Sequence, residues 1–124
     1  MLPSGANMAR RVDKPWGYED IWAETDRYVG KVLAIEEGRR LSLQYHERKD
    51  ETILVMRGRL QLELEDDQGQ MCTVELGAGE SRHIAPGRRH RFGALEDCQL
   101  VEVSTPELDD VVRLEDDFGR TGGS

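Results

Sequence analysis

The stretch Gly38–Gly58, GRRLSLQYHERKDETILVMRG, decides how this chain is read. Gln44 and His46 stand two apart in a strand-like run, so both side chains leave the same face. Ser42 shares that face. Leu41, Leu43 and Tyr45 take the opposite face, where they can pack. Glu51 follows the short loop Glu47–Asp50 and opens a second strand-like run, so a hairpin returns its carboxylate to the side of His46. Further on, Gly79–His90 reads GESRHIAPGRRH, and its Pro86-Gly87 turn presents His90 from another hairpin. Two imidazoles, a carboxylate and an amide oxygen are thereby aimed at a common point. This donor set suits one divalent ion (zinc, manganese, iron(II), nickel or cobalt), and the lack of thiolate argues against a closed structural zinc site. Four protein ligands leave a five- or six-coordinate ion with an open position, as catalysis requires. Taken singly, a strand histidine is a satisfied core or surface residue and a glutamate opening a strand is solvated; the reading rests on the four together. His83 lies outside the set and reads as a neighbouring polar residue.

Outward from this stretch, turn signals recur at short intervals, among them Gly30, Asp66-Asp67-Gln68-Gly69, Gly77-Ala78-Gly79 and Glu96-Asp97. The runs between them read as strands. Leu60, Leu62 and Leu64 alternate with Gln61, Glu63 and Glu65, a half-buried strand that the Asp66–Gly69 turn leads into Met71–Leu76. Ile53–Met56 is continuously apolar and reads as a strand covered on both faces. Lys31–Ile35, Leu41–His46, Arg82–Ala85 and Gln99–Val103 complete a set of short strands that argues for a sandwich or barrel. The segment 109–118 reads as a short helix. Residues 1–12 read as a flexible arm, 13–120 as one domain and 121–124 as a disordered tail.

Lys and Arg number 17 against 25 Asp and Glu, a net charge of −8. An acidic surface repels phosphate backbones and anionic lipid, so nucleic-acid and membrane partners are not expected. The basic residues nevertheless cluster: Arg39, Arg40, Arg48, Lys49, Arg57 and Arg59 mid-chain, then Arg82, Arg88, Arg89 and Arg91. Local positive charge of this kind suits a small anionic ligand; its bland reading is a solvated rim. Cys72 and Cys98 show no CxxC spacing, and Cys72 reads as a small core residue. No membrane span or signal-peptide pattern is present, and the expected location is the cytoplasm.

These spacings resemble the two signature motifs of the cupin superfamily. Gly38, Gln44, His46, Glu51 and Gly58 follow the first, with Gln44 at its first histidine position. Gly79, Gly87 and His90 follow the second, with Ala85 and Ala94 at its proline and asparagine positions. Lys14-Pro-Trp-Gly-Tyr18, Leu41-Ser-Leu-Gln-Tyr-His46 and Asp110-Val-Val-Arg-Leu-Glu-Asp-Asp-Phe-Gly-Arg120 further resemble the type II mannose-6-phosphate isomerase cupin, in which glutamine also takes the first ligand position. That resemblance implies an all-β jelly-roll barrel, the double-stranded β-helix of cupins. It also implies a divalent metal at Gln44, His46, Glu51 and His90, and an aldose–ketose isomerase acting on a phosphorylated sugar. The run His46–Thr52 departs from the family pattern, which has Arg at Lys49 and His at Thr52. Lysine keeps the charge but loses the bidentate fork for phosphate.

Under the isomerase reading a base must carry a proton between two sugar carbons. Lys31, which aligns with a family lysine, and Glu47 beside the ligand histidine are the candidates. Arg113 and Arg120 match the family's C-terminal arginines and would hold phosphate or close the site; their bland reading is pairing with Glu115, Asp116 and Asp117. Arg48 and Lys49 are further phosphate candidates. Two other classes stay open: a different metal-cupin activity (dioxygenation, or another sugar isomerisation or epimerisation) and a non-catalytic sugar-binding module. Trp16 and Trp22 can stack on a sugar or pack at edge strands. A homodimer through Leu41, Leu43 and Tyr45 is expected.

Overall fold

The computed structural model describes residues 5–123, which form two six-stranded antiparallel sheets. One has the order β1 (Arg10–Lys14), β2 (Gly17–Glu24), β3 (Val29–Ile35), β10 (Cys98–Ser104), β5 (Glu51–Arg57) and β8 (Ser81–Ile84). The other runs β12 (Gly122–Gly123), β11 (Val112–Glu115), β4 (Leu43–Tyr45), β9 (His90–Ala94), β6 (Arg59–Glu65) and β7 (Met71–Gly77). The chain switches sheets between β3 and β4, between β4 and β5, and again between β5 and β6, so the motif residues of 38–58 alternate between the two walls of a jelly-roll barrel.

Alternation places the core. Leu33, Ile35, Ile53, Val55 and Leu100 from the first sheet meet Leu60, Leu62 and Phe92 from the second. The hairpin read from Leu60–Leu64 is present, with Leu62 opposite Val74. Its turn is closed by Asp66, whose Oδ1 accepts from the backbone N–H groups of Gln68 and Gln70 at 2.8 and 2.9 Å.

Several expectations are corrected. Ile53–Met56 is covered on one face only: Ile53 and Val55 are fully buried, whereas Leu54 is 39% and Met56 53% exposed. Their sheet packs on a single partner and its outer face is open. Cys72 lies exposed on β7, and it is Cys98 that packs in the core. Leu41 is buried in the core, because the chain turns inward before β4 begins at Leu43. It is therefore unavailable to a dimer surface, and only the half-buried Leu43 and Tyr45 remain of the expected set.

No helix occurs among the described residues, and so none is long and apolar enough to cross a membrane. The segment 109–118 instead contributes β11, with Val112 opposite Tyr45 and Arg113 opposite Gln44. A helix of two or three turns is marginal alone, and β-branched Val111 and Val112 favour the extended pairing that β4 offers. The first strand starts at Arg10, inside the segment read as an arm, and Arg10–Lys14 pairs along β2. Gly122 and Gly123 pair with β11, inside the segment read as a tail. Residues 1–4 of the arm and Ser124 lie outside the described residues. Trp16 is buried in the core, while Trp22 is exposed, with its indole lying over Gly30.

Candidate metal centre

At one mouth of the barrel the two sheets present their ligand-type side chains to each other. Gln44 comes from the middle of β4, and His46 follows just beyond that strand's end. Glu51 opens β5 in the opposite sheet, and His90 opens β9 directly across from Gln44. His46, Glu51 and His90 are all buried, with donor atoms lying within 4.8 Å of one another. Glu51 Oε1 is 3.3 Å from His90 Nε2 and 3.7 Å from His46 Nε2.

The outward-facing ring nitrogens fix which atoms face inward. His46 Nδ1 donates to the carbonyl oxygen of Asp110 at 2.5 Å, and His90 Nδ1 donates to that of Arg88 at 2.9 Å. A carbonyl can only accept, so each Nδ1 carries a hydrogen, and the neutral form of each ring then turns an Nε2 lone pair toward Glu51. Both Nε2 atoms are buried without a hydrogen-bond partner and face Glu51 Oε1, while Glu51 Oε2 is engaged by Lys49. Lone pairs facing a carboxylate oxygen in a buried site call for a cation among them, and a divalent ion satisfies both imidazoles and the carboxylate. The residues therefore fit a metal. Gln44 lines the same cavity, its Oε1 accepting from the buried Ser42 hydroxyl at 2.9 Å. Burial pushes the Glu51 carboxyl up, and the Lys49 ammonium 3.1 Å away pulls it back down.

The cavity beside these residues has a volume of about 570 Å³ including its open mouth. Lys31, Lys49 and Glu102 line one wall, and Arg113 and Arg120 another. Lys31 is buried on β3, with Nζ 3.1 Å from Glu19 and 3.7 Å from Glu102. Lys49 is also buried; its Nζ sits 3.1 Å from both Glu51 and Glu102. Lys49, expected to hold phosphate, lines the cavity with its charge engaged by two carboxylates. Glu47 and Arg48, expected as base and phosphate group, are exposed and not brought into the cavity wall; their backbone N–H groups hold the loop. Arg113 reaches the cavity, and its Nε is buried without a hydrogen-bond partner. Arg120 reaches it while hydrogen-bonded to Asp116 at 2.9 and 3.1 Å. His83 is exposed and bonded to Asp50.

Asp110 and Glu102 carry roles that sequence reasoning did not assign. The Asp110 carboxylate accepts from the backbone N–H groups of Glu47, Arg48 and Lys49 at 3.0, 2.7 and 2.9 Å, while its carbonyl orients His46. One residue thus pins both the loop between His46 and Glu51 and the tautomer of His46. Burial pushes the Asp110 carboxyl up, and the three N–H groups more than offset that and lower it. A carboxyl lowered on folding contributes stability above its ordinary range, which is lost as pH falls through the lowered value. Asp110→Ala removes the carboxylate and keeps the carbonyl that orients His46, so it is expected to lower stability by about 1–2 kcal/mol through the loop. Urea unfolding measures the effect, and an unchanged midpoint would contradict this role. A signal for Glu102 existed: it stands between Leu100 and Ser104 on the inward face of β10, where an apolar residue is expected.

With this geometry in place, comparison with known proteins gives a consistent answer. The family profile described as mannose-6-phosphate isomerase C-terminal matches residues 4–116. The chain belongs to that family. Relatives of the mannose-6-phosphate isomerase C-terminal family include the xanthan biosynthesis protein XanB of Xanthomonas campestris pv. campestris (strain B100), 32% identical over 95% of this chain and 25% of that protein. The mannose-1-phosphate guanylyltransferase ManC of Salmonella typhimurium (strain LT2) is 34% identical over 92% of this chain and 24% of its own length. This family member spans about a quarter of the length of the curated relatives it matches. Among solved structures, KdgF from Halomonas sp. superposes with a TM-score of 0.70 at 24% identity, covering 81% of this chain and 90% of that one. Oxalate decarboxylase from Bacillus subtilis gives 0.76 at 16% identity, covering 91% of this chain and 33% of that one. At such identities the likeness shows the fold, and the fold is the cupin jelly roll.

Proposed function

We propose that this domain is a metal-dependent aldose–ketose isomerase of a phosphorylated sugar, mannose 6-phosphate being the first substrate to try. The observation that carries this reading is that one cavity is lined both by His46 and Glu51 of the His46–Glu51–His90 cluster and by Arg113, whose Nε has no hydrogen-bond partner. The ion for which these residues fit, with Gln44 as fourth ligand, is zinc, manganese, iron(II), nickel or cobalt. When bound it supplies Lewis acidity to the carbonyl and adjacent hydroxyl oxygens of the sugar. The protein residues do the rest. Arg113 and Arg120 offer guanidinium groups to the phosphate on the strap that β11 begins. The buried charges of Lys31, Lys49 and Glu102 hold the reacting carbons in a polar, water-poor wall. Family membership supports the substrate class, and the His46–Thr52 departures make its identity worth testing directly.

Purified protein supplied in turn with each of the five metals is expected to interconvert mannose 6-phosphate and fructose 6-phosphate, with loss of turnover on chelation. Tight binding of the sugar phosphate without turnover under every metal would refute the isomerase and favour a binding module. Oxygen uptake with an iron-loaded sample would instead favour dioxygenation.

A further inference from the structure

Glu102 is a buried carboxylate on the central strand β10, facing the cavity, and it is not part of the ligand cluster. Opposite it across the strand pairs stand Lys31 on β3 and Ile53 on β5, two residues along from Glu51. The Oε2 atoms of Glu102 and Glu51 both lie 3.1 Å from Lys49 Nζ, so a single ammonium group joins the metal cluster to this second carboxylate. We propose that Glu102 is the catalytic base, the group that takes the proton from the carbon beside the sugar's carbonyl and returns it to the neighbouring carbon. The inference deepens the isomerase reading and rests on it.

Elimination within the cavity leads to the same residue. Lys31 and Lys49 each sit between two carboxylates that engage their ammonium groups; Arg113 and Arg120 cannot act as bases at all. Glu51, His46 and His90 are committed to the cluster. Glu19 remains and is likewise held by two lysines, but it lies on β2, three strands from the β5 that carries Glu51, whereas β10 is next to β5. Glu102 meets two lysines on one side and the cavity on the other. The step balances internally. The C2–H bond breaks and its proton goes to Glu102; its electron pair forms the C1–C2 double bond and the carbonyl pair moves to O1. Glu102 then delivers the proton to C1, where the C1–C2 double-bond pair forms the new C1–H bond; the O2–H bond breaks, its proton passes to O1, and its electron pair completes the C2 carbonyl. No external oxidant or reductant is needed.

The test compares wild type with Glu102→Gln on mannose 6-phosphate. It reads metal content, sugar-phosphate affinity by calorimetry, kcat, and exchange of the C2 hydrogen with D2O by NMR. The variant is expected to keep its metal and to bind sugar within about threefold, while kcat and exchange both fall about 10³-fold. A variant that retains kcat within tenfold of wild type, with wild-type exchange, overturns the role of Glu102 and leaves the isomerase reading standing. Wild type that neither isomerises nor exchanges sinks both. Should Glu102→Gln fail to fold, Glu102→Asp keeps the charge between the two lysines and withdraws it by one methylene. That variant is expected to melt near wild type with kcat down about 100-fold; wild-type turnover there would overturn the proposal.

Discussion

Gly58→Ala is expected to cost more than about 3 kcal/mol of stability, the largest loss from adding a single methyl group at any motif glycine. Gly58 links β5 to β6, where the chain leaves one sheet for the other, and its φ is +85°. A side chain in that left-handed region costs about 1–2 kcal/mol for the conformation alone. Here a Cβ would also lie 2.1 Å from the carbonyl oxygen of Asp97 and 3.0 Å from Cys98 Cα, backbone atoms that can yield only if the start of β10 moves. The other motif glycines make the control. Gly38, Gly79 and Gly87 have φ values of +81°, +89° and +81°, but a Cβ there meets nothing within 4 Å. Their alanine variants are expected to lose only the conformational 1–2 kcal/mol or so. Urea unfolding of the four variants decides the matter, and a Gly58→Ala loss no greater than that of Gly38→Ala would contradict the packing argument.

The second large effect is expected at Lys49. Lys49→Met leaves Glu51 and Glu102 facing each other across a buried apolar side chain, and removal of one partner from a buried charge cluster costs about 3–5 kcal/mol. Burial pulls the Lys49 ammonium down, but Glu102 and Glu51 outweigh it and raise the group above the ordinary lysine value of 10.5. A lysine raised on folding contributes stability that is full below its unfolded value and is lost only as pH rises through the folded one. The lysine therefore works at full strength throughout the neutral range. Lys49→Arg, which restores the residue of the family pattern, is expected to recover more than half of the loss. Denaturant midpoints at pH 7 measure both variants, and a Lys49→Met loss under about 1 kcal/mol would mean that the cluster is not electrostatically coupled.

What could be read in the sequence was whatever is encoded within one hairpin. Leu60, Leu62 and Leu64 announce β6 because alternation is local, and the Asp66 turn follows from its own neighbours. The two-residue spacing of Gln44 and His46 and the loop to Glu51 were legible for the same reason. Features made by distant pairing were not. The segment 109–118 became a strand because β4, far away in sequence, offered it an edge. Leu41 points inward because the chain crosses between the sheets before β4 begins. Glu102 acquires its role only when β3, β10 and β5 lie side by side, and Asp110 only when the C-terminal strap crosses the loop between His46 and Glu51. Glu47 attracted attention by its place beside a ligand in sequence, yet a residue next to an inward side chain in an extended run faces outward.

His46, Glu51 and His90 form a buried cluster whose donor atoms converge on a point. Elemental analysis of the purified protein after saturation with each candidate metal and gel filtration, alongside a His46→Ala/His90→Ala variant shown by circular dichroism to keep its β structure, tests that most directly. One divalent ion per chain in the wild type, absent from the folded double variant, is the predicted result. A wild type that retains no ion from any of the five metals, or a double variant that retains as much as the wild type, would contradict it.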